Sequence, residues 1–338
     1  MKKVFVGGVV VLMAAALFSG CKKKQQAATA ANAKDKIVVG YAQVGAESDW
    51  RLANTTSFKE TFTAENGYDL IFVDGQQKQE NQIKAIRDFI QQDVDYIVLA
   101  PVVETGWETV LKEAKDADIP VILSDRMVQV DDPSLYLCWV GGDFLKEGRD
   151  AVQWLDDYLV SLGRGDDTIN IVDLQGTIGA SAQIGRTQGL MEGVAARPNW
   201  NIVAQQTGEF TQQKGQEVME AILKSVSDID VVYAENDNMA WGAIDAIRAA
   251  GKVPGTDIIV ITFDAVKESF NRIINDGTIN CAVECNPLHG PRVAEIIRML
   301  ENGGTVVDKK QYVTELVFDK DGIGNALRAA EQLPNRKY

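Results

Sequence analysis

Residues 70–99, LIFVDGQQKQENQIKAIRDFIQQDVDYIVL, contain the unit from which the rest of the chain is built. Two short apolar runs, Leu70–Val73 and Tyr96–Leu99, flank the stretch Glu80–Gln92, whose apolar residues recur at helical spacing. Continuous apolar runs are typical of parallel strands that helices cover on both faces. The stretch therefore predicts a strand, a crossover helix and a second, parallel strand.

The same alternation continues over the rest of the chain. Strands are predicted at Ile37–Gln43, Leu70–Val73, Tyr96–Leu99, Val121–Ser124, Leu135–Val140, Asn170–Leu174, Ile202–Thr207, Val231–Ala234, Ile258–Phe263, Asn280–Glu284 and Tyr312–Phe318. Helices are predicted at Glu80–Gln92, Thr105–Ala117, Leu145–Val160, Ala182–Ala196, Gln212–Ser225, Met239–Ala250, Lys267–Ile274 and Pro291–Asn302. Because the rhythm restarts near Asn170, the sequence predicts an α/β fold of two similar, doubly wound parallel-sheet lobes.

The amino terminus has the pattern of a secretion signal. Lys2 and Lys3 precede the apolar run Val4–Phe18, which is too short for a comfortable membrane span, and Ser19-Gly20-Cys21 follows. An apolar stretch that ends in Gly-Cys resembles the bacterial lipobox, which implies cleavage before Cys21 and a lipid on its sulfur. The polar, alanine-rich residues 22–36 cannot bury enough apolar surface to fold and are predicted to be a flexible tether.

Composition excludes several function classes. The 34 Lys and Arg residues against 48 Asp and Glu give a net charge of −14, which argues against binding a phosphate backbone. A single histidine, His289, excludes most catalytic triads and histidine-rich metal centres, and no nucleophile elbow or P-loop is present. Because carboxylates are abundant, a pair for glycoside hydrolysis stays open, but we expect no enzyme and no cofactor.

The cysteines leave the disulfide state open and predict no metal site. Cys138, Cys281 and Cys285 are odd in number once Cys21 is set aside, so at least one is unpaired within a monomer. Cys281 and Cys285 are separated by roughly 13 Å along a predicted strand, beyond the reach of a disulfide. A zinc site of these two cysteines with His289 lacks a fourth ligand, so no metal is expected.

The loops after the predicted strands carry an unusual share of groups that suit a sugar. Carboxylates accept hydrogen bonds from hydroxyls, guanidinium groups donate to paired oxygens, and flat aromatic rings cover C–H faces. The candidates are Glu47, Ser48, Asp49, Trp50, Arg51, Asp125, Arg126, Arg186, Phe210, Asn236, Asp264 and Glu284. Trp50 and Phe210 come from different lobes and are predicted to sandwich a ring.

Several of these residues have a structural alternative. Trp50 could be a core residue at the start of a helix, and Asn236 could be a helix N-cap. Asp125 and Arg126 could be an ion-paired loop, and Arg186 could be solvated. Their joint occurrence at strand ends favours a polar ligand, since a buried charge without a partner costs several kcal/mol.

Four regions carry a family resemblance: Gln43–Gly45 with Glu47–Ser48 and Trp50–Arg51, Asp74–Ala85, Ala100–Val103 with Thr105–Glu108, and Leu174–Thr177. Through them the chain resembles the type I periplasmic sugar-binding proteins of ABC importers, the ribose- and galactose-binding group, and most closely its galactofuranose-binding members. The resemblance implies that Glu47 to Arg51, Asp125, Arg126, Arg186, Asn236 and Asp264 occupy ligand positions. It matches Phe210 to a second aromatic and Glu284 to a polar contact beside the hinge.

The resemblance also implies an organisation. The expected segments are a signal peptide at 1–21, a tether at 22–36, an N-terminal lobe at 37–140 plus 286–311, and a C-terminal lobe at 141–285 plus 312–338. Three chain crossings are expected near Val140–Gly142, Glu284–Asn286 and Gln311–Val313. Asp49 stands where the family has glycine, and Ala100 replaces a polar contact of ribose binders, so both argue against ribose.

The implied function is capture of a monosaccharide, galactofuranose or a similar aldose, by hinge closure. The expected partners are an ABC permease with its ATPase subunit, and the expected place is the periplasm or cell envelope, with a lipid anchor and a monomeric state. A receptor for chemotaxis or quorum signals would use the same fold and stays open. A carbohydrate-active enzyme is the weaker alternative, and a DNA-binding repressor would need a helix-turn-helix where the signal and tether stand.

Overall fold

The computed structural model describes residues 36–338. The predicted signal peptide, the lipidation site Cys21 and all of the predicted tether except Lys36 lie outside the described residues. Between Lys36 and Tyr338, no helix combines the length and the hydropathy that a bilayer crossing requires.

The strands form two separate sheets that repeat the same winding. The strands are β1 (Ile37–Gln43), β2 (Tyr68–Asp74), β3 (Tyr96–Leu99), β4 (Val121–Ser124), β5 (Cys138–Gly141), β6 (Ile169–Gln175), β7 (Trp200–Thr207), β8 (Val231–Ala234), β9 (Ile259–Asp264), β10 (Cys281–Glu284), β11 (Lys310–Tyr312), β12 (Val317–Asp319) and β13 (Leu327–Arg328). The first sheet has the order β11-β5-β4-β3-β1-β2, with all neighbours parallel. The second has the order β13-β12-β10-β9-β8-β6-β7, in which only β10 and β12 are antiparallel. We call the sheets with their helices the first and the second lobe, and the predicted fold class is confirmed.

Helices join and cover these strands. They are α1 (Asp49–Thr61), α2 (Gln79–Gln91), α3 (Glu108–Asp116), α4 (Phe144–Ser161), α5 (Ser181–Ala195), α6 (Gln212–Ser225), α7 (Asp237–Ala249), α8 (Lys267–Asn271), α9 (Gly290–Glu301) and α10 (Ala329–Gln332). The chain passes from the first lobe to the second between β5 and α4, returns between β10 and α9, and passes again between β11 and β12. These three passages form the hinge.

Besides β13 and α10, which were not predicted, three elements differ from the sequence predictions. The single strand predicted at Tyr312–Phe318 is wrong: β11 and β12 belong to different sheets, because the chain crosses between the lobes there. The strand predicted at Leu135–Val140 begins only at Cys138, since Pro133–Leu135 forms a 3-10 turn. Helix α1 was not predicted.

Helix α1 could not be predicted from an apolar stripe because its buried face is polar. Arg51, Asn54 and Ser57 are buried beside Trp50 and Phe58, so the helix lacks an apolar stripe. Tertiary hydrogen bonds replace that stripe: the Tyr41 hydroxyl donates to Asn54 Oδ1 at 2.8 Å, and Asn54 Nδ2 donates to the Pro287 carbonyl at 2.9 Å. Pro287 lies in the second passage, so this hydrogen bond fixes α1 to the hinge.

Helices α4 and α5 pack with their backbones in close approach because glycines line the contact. A Cβ added to Gly148 would lie 2.7 Å from the Arg186 carbonyl oxygen, and one added to Gly189 would lie 2.7 Å from the Gly148 Cα. No side chain fits at these distances. The approach brings Arg186 on α5 beside Glu147 on α4.

We expect Gly189→Ala to destabilise the protein by about 1–3 kcal/mol, because its methyl group overpacks a contact between two backbones. The measurement is the free energy of unfolding in urea. Met191→Ala, on the exposed side of the same helix, is the control and should change that free energy far less. An unchanged unfolding midpoint for Gly189→Ala would show that the helices can separate without cost.

Candidate functional site

A small cavity lies between the two lobes, where the carboxyl ends of both sets of parallel strands meet. Its volume is about 20 Å³, enough for roughly one water molecule. Its lining is Glu47, Ser48, Trp50, Arg51, Asp125, Arg126, Ala182, Arg186, Phe210, Asn236, Asp264 and Cys285. Ten of the twelve candidate residues are therefore brought together here, and Asp49 and Glu284 are not among them.

The first lobe contributes the loop after β1 and the start of α1. Ser48 is the N-cap of α1, and its Oγ accepts a hydrogen bond from the Arg51 backbone N–H at 3.2 Å. This cap satisfies one of the free N–H groups at the helix start. It also fixes the first turn, so that Glu47, Trp50 and Arg51 all reach the cavity.

Two arginines and two carboxylates of the first lobe form a buried ion network. Glu47 Oε1 accepts from Arg51 Nη2 at 3.1 Å and from Arg126 Nη2 at 2.7 Å. Arg51 Nη2 also donates to Asp125 Oδ2 at 2.5 Å. All four side chains are at most 5% exposed. Burial acts to raise the pKa of Asp125, but Arg51 and Arg126 outweigh it and hold that pKa below its usual value.

Three polar atoms of this network have no hydrogen-bond partner among residues 36–338. They are Glu47 Oε2, Arg51 Nη1 and Arg126 Nε, an acceptor and two donors. Each belongs to a residue that lines the cavity. Since buried polar atoms in proteins nearly always have a partner, these atoms point to a polar ligand with both donors and acceptors.

The second lobe contributes Arg186, which is 2% exposed. Its Nε donates to Glu147 Oε2 at 2.7 Å, its Nη1 donates to the Glu235 carbonyl at 2.5 Å, and its Nη2 lies 3.6 Å from Asp264 Oδ1. The prediction that Arg186 could be solvated is wrong. Burial raises the pKa of Asp264 well above its usual value, and Arg186 only partly opposes this.

Asn236 follows β8 and combines two roles that the sequence left as alternatives. Its Oδ1 accepts from the Met239 backbone N–H at 3.0 Å, so it is the N-cap of α7. Its Nδ2 donates to the Phe210 carbonyl at 3.0 Å, and the residue lines the cavity. Asn236 therefore fixes the backbone that presents the Phe210 ring.

The two aromatic residues come from opposite lobes, as expected. Trp50 Nε1 donates to the Cys285 carbonyl at 2.6 Å, which ties α1 to the second hinge passage. Phe210 has a backbone φ of +61°, and its ring lies so close to Gly176 that a Cβ there would be 1.9 Å from the ring. The Arg126 guanidinium lies 5.0 Å from the centre of the Phe210 ring, across the cleft. A sugar stacked on that face of the ring would displace the guanidinium.

Further contacts join the lobes around the cavity. The backbone N–H of Glu104 donates to the Gly179 carbonyl at 2.9 Å, and the N–H of Met127 donates to Ser181 Oγ at 2.9 Å. We call these two contacts the backbone seam.

Asp49 lies at the rim of the cleft and Glu284 lies beside the hinge. The exposed Asp49 accepts from Asn238 Nδ2 at 3.3 Å, and its backbone N–H donates to Asn238 Oδ1 at 3.1 Å, so the pair joins the two lobes. Glu284 accepts from Arg336 at 2.5 Å and from the Tyr338 hydroxyl at 2.6 Å. Its carboxylate therefore holds residues 336–338 in place, and it does not line the cavity.

Sequence reasoning missed two lining residues. Ala182 stands at the start of α5, where a small side chain leaves space, but alanine carries no chemical signal. Cys285 directly follows β10, and its place at a predicted crossing was the available clue. Burial raises the pKa of its thiol well above the usual value, so it is a neutral thiol. Cys138, Cys281 and Cys285 are all free.

Comparison with known proteins finds relatives over most of the chain. The periplasmic binding protein domain matches residues 39–290. The chain is 42% identical over 304 residues to the galactofuranose-binding protein YtfQ of Escherichia coli K12, covering 89% of this chain and 92% of that protein.

Two solved structures give the same result. One, from Mycobacterium smegmatis in complex with β-D-fucofuranose, is 47% identical with a TM-score of 0.83 and covers 89% of this chain and 95% of that one. The other is the binding component of the arabinose ABC transporter from Shewanella sp. ANA-3, bound to α- and β-L-arabinofuranose. It is 44% identical with a TM-score of 0.81 and covers the same shares. The resemblance drawn from the sequence is thereby confirmed: this chain belongs to the periplasmic binding protein family.

Proposed function

We propose that this protein is the sugar-binding component of an ABC importer and that it captures an aldose in its furanose form. The observation that carries the proposal is the lining of the cavity. It contains an aromatic ring from each lobe and three polar atoms without a hydrogen-bond partner, Glu47 Oε2, Arg51 Nη1 and Arg126 Nε. A sugar hydroxyl both donates and accepts, so a ring of hydroxyls suits one acceptor and two donors. The relatives described above bind galactofuranose, fucofuranose and arabinofuranose.

Hinge motion is part of this proposal. A cavity of about 20 Å³ admits no monosaccharide, so the lobes must part or side chains must move for the sugar to enter. A sugar that touches both lobes binds the closed form better than the open form, and that difference drives closure. We place the moving bodies at 37–140 plus 286–311 and at 141–285 plus 312–338. The division of the strands between the two sheets supports these bounds except at Gly141 and Tyr312, which end strands of the first sheet.

Delivery completes the proposal. The closed protein presents both lobes to a membrane permease, whose ATPase subunit supplies the work, while the binding protein itself acts as a monomer without catalysis or cofactor. It works in the periplasm or cell envelope, where a lipid on Cys21 holds it at a membrane.

The test is calorimetry of the purified protein against D-galactose, D-fucose, L-arabinose and D-ribose, followed by a crystal structure with the sugar that binds best. We expect one of the first three to bind more tightly than ribose, and the bound sugar to have a five-membered ring. No binding to any of them, or a six-membered ring in the cleft, would contradict the proposal.

We expect Arg126→Lys to weaken sugar binding by roughly ten- to a hundredfold, because lysine keeps the charge but loses the planar fork of donors. Arg87→Lys is the matched control: Arg87 forms a bidentate pair with Glu113 on the exposed surface of the first lobe. Both are measured by calorimetry. Equal affinity of the two variants would make Arg126 a structural residue only.

We expect Phe210→Ala to weaken binding by about 2–4 kcal/mol, roughly 30- to 1,000-fold, because it removes the second-lobe ring. Phe72→Ala, on the edge strand β2 away from the cleft, is the control for loss of a ring and should bind normally. Calorimetry with the sugar identified above measures both. If the two variants bind alike, Phe210 does not contact the sugar.

We expect Cys21→Ser to move the protein from the membrane fraction to the soluble fraction, because serine cannot accept the thioether-linked lipid. Fractionation followed by a high-salt wash measures this. A variant that stays with the membranes after the wash would show that another feature holds it there.

A further inference from the structure

A second group of acidic residues lies in the hinge, outside the lining of the cavity. Glu147 is in the first turn of α4, and Glu315 lies between β11 and β12 in the third passage. One oxygen of each carboxyl group lies within 4.8 Å of an oxygen of the other. One oxygen of each lies within 4.8 Å of the Cys285 Sγ in the second passage.

Glu315 touches all three hinge passages. It belongs to the third, its Oε2 accepts from the Asp143 backbone N–H at 3.3 Å in the first, and its Oε1 accepts from the Asn286 N–H at 3.2 Å in the second. A Cβ on Gly142 would lie 2.2 Å from Glu315 Oε1, so only glycine permits this approach. A single carboxyl group thus cross-links the segments about which the lobes move.

The charges around the pair compensate only one carboxylate. Arg186 binds Glu147 through the 2.7 Å contact with Oε2, while Glu147 Oε1 is buried without a hydrogen-bond donor among the described residues. The other groups that face the pair, Asp264, Asp125 and the Cys285 thiol, carry no positive charge. Lys146 lines the hollow outside Glu315, but its Nζ binds Asp150.

Glu147 is buried and Glu315 is partly buried, and two carboxylates at this distance, with one arginine, do not both stay ionised there. Burial and the neighbouring Glu147 raise the pKa of Glu315 to about 10. The shared proton therefore stays on the pair at neutral pH.

We propose that one proton shared by Glu147 and Glu315 locks the hinge in the closed form, and that loss of this proton opens the hinge and weakens sugar binding. The pair is coupled to the cleft through Arg186, because Arg186 binds Glu147 and also lines the cavity. The proposal rests on the sugar-binding function proposed above.

The direction of the pH effect follows from the pKa of Glu315. Because the closed form raises it from the ordinary 4.5 to about 10, the closed form holds a proton that a solvated carboxyl would release. The stabilisation of the closed form by this proton is complete at pH values below the ordinary pKa of 4.5, and it is lost as the pH rises toward about 10. Sugar affinity should therefore fall with rising pH, by up to about tenfold per pH unit if one full proton is taken up on closure.

The test compares the native protein with Glu315→Gln, whose amide N–H replaces the shared proton as a donor to Glu147. Calorimetry with D-galactose and L-arabinose is run from about pH 6 to about pH 9 in buffers of different ionisation enthalpy, which gives the number of protons taken up per sugar. We expect the native protein to take up protons and lose affinity by about threefold or more per pH unit. Glu315→Gln should take up none and keep its affinity.

Glu80→Gln, an exposed carboxyl on α2, is the control and should behave as the native protein does. Sugar binding with the same pH dependence in the native protein and in Glu315→Gln would overturn the inference and leave the proposed function intact. A native pH dependence abolished by EDTA would also overturn it, because a bound cation would then replace the proton.

Thermal unfolding of the sugar-free protein separates the two proposals. The unfolding temperature of the native protein should fall relative to that of Glu315→Gln as the pH rises over the same range. If neither sugar binds at any pH, the proposed function fails, while this difference still supports the shared proton. Parallel unfolding curves would overturn the shared proton whatever the sugar result.

Discussion

The ion network of Glu47, Arg51, Asp125 and Arg126 is the constraint on which the rest of the site depends. Taking four charged side chains out of water costs several kcal/mol for each ion, and mutual pairing recovers this only when the remaining atoms also find partners. The network satisfies most of its atoms and leaves three of them at the cavity. Binding energy is therefore built into the first lobe before any ligand arrives.

In the second lobe, contacts with the backbone and with neighbouring side chains fix the positions of Arg186 and Phe210. Arg186 contacts a carboxylate of α4, a backbone carbonyl after β8 and Asp264 at the end of β9. Its position therefore depends on how these three elements pack together. Phe210 is held by Asn236 and by the space that Gly176 leaves open. Because each functional side chain is fixed by backbone or by a second side chain, little entropy remains to be lost on binding.

Much of the fold and most of the site could be predicted from the sequence, because both depend on local patterns. Apolar runs predicted the strands. Polar residues directly after those runs predicted the lining of the cavity, because parallel strands end at one edge of a sheet. Helix α1 was missed because its buried residues are polar and only tertiary hydrogen bonds make that burial favourable. Glu284 does not line the cavity, and no local pattern shows that the distant Arg336 and Tyr338 fold back onto it. The contacts of Glu315 in the hinge could not be predicted either, because its partners come from two other segments of the chain.

The backbone seam has a consequence for how such a protein evolves. Of its four hydrogen-bonding groups, three belong to the main chain, at Glu104, Gly179 and Met127. Main-chain groups persist whatever side chain a mutation installs, so substitutions in the cavity can exchange one sugar for another while the lobes still meet in the same register. Recognition of the ligand and the way in which the lobes meet are thus inherited separately, and a lineage can change its sugar without changing the contact between the two lobes.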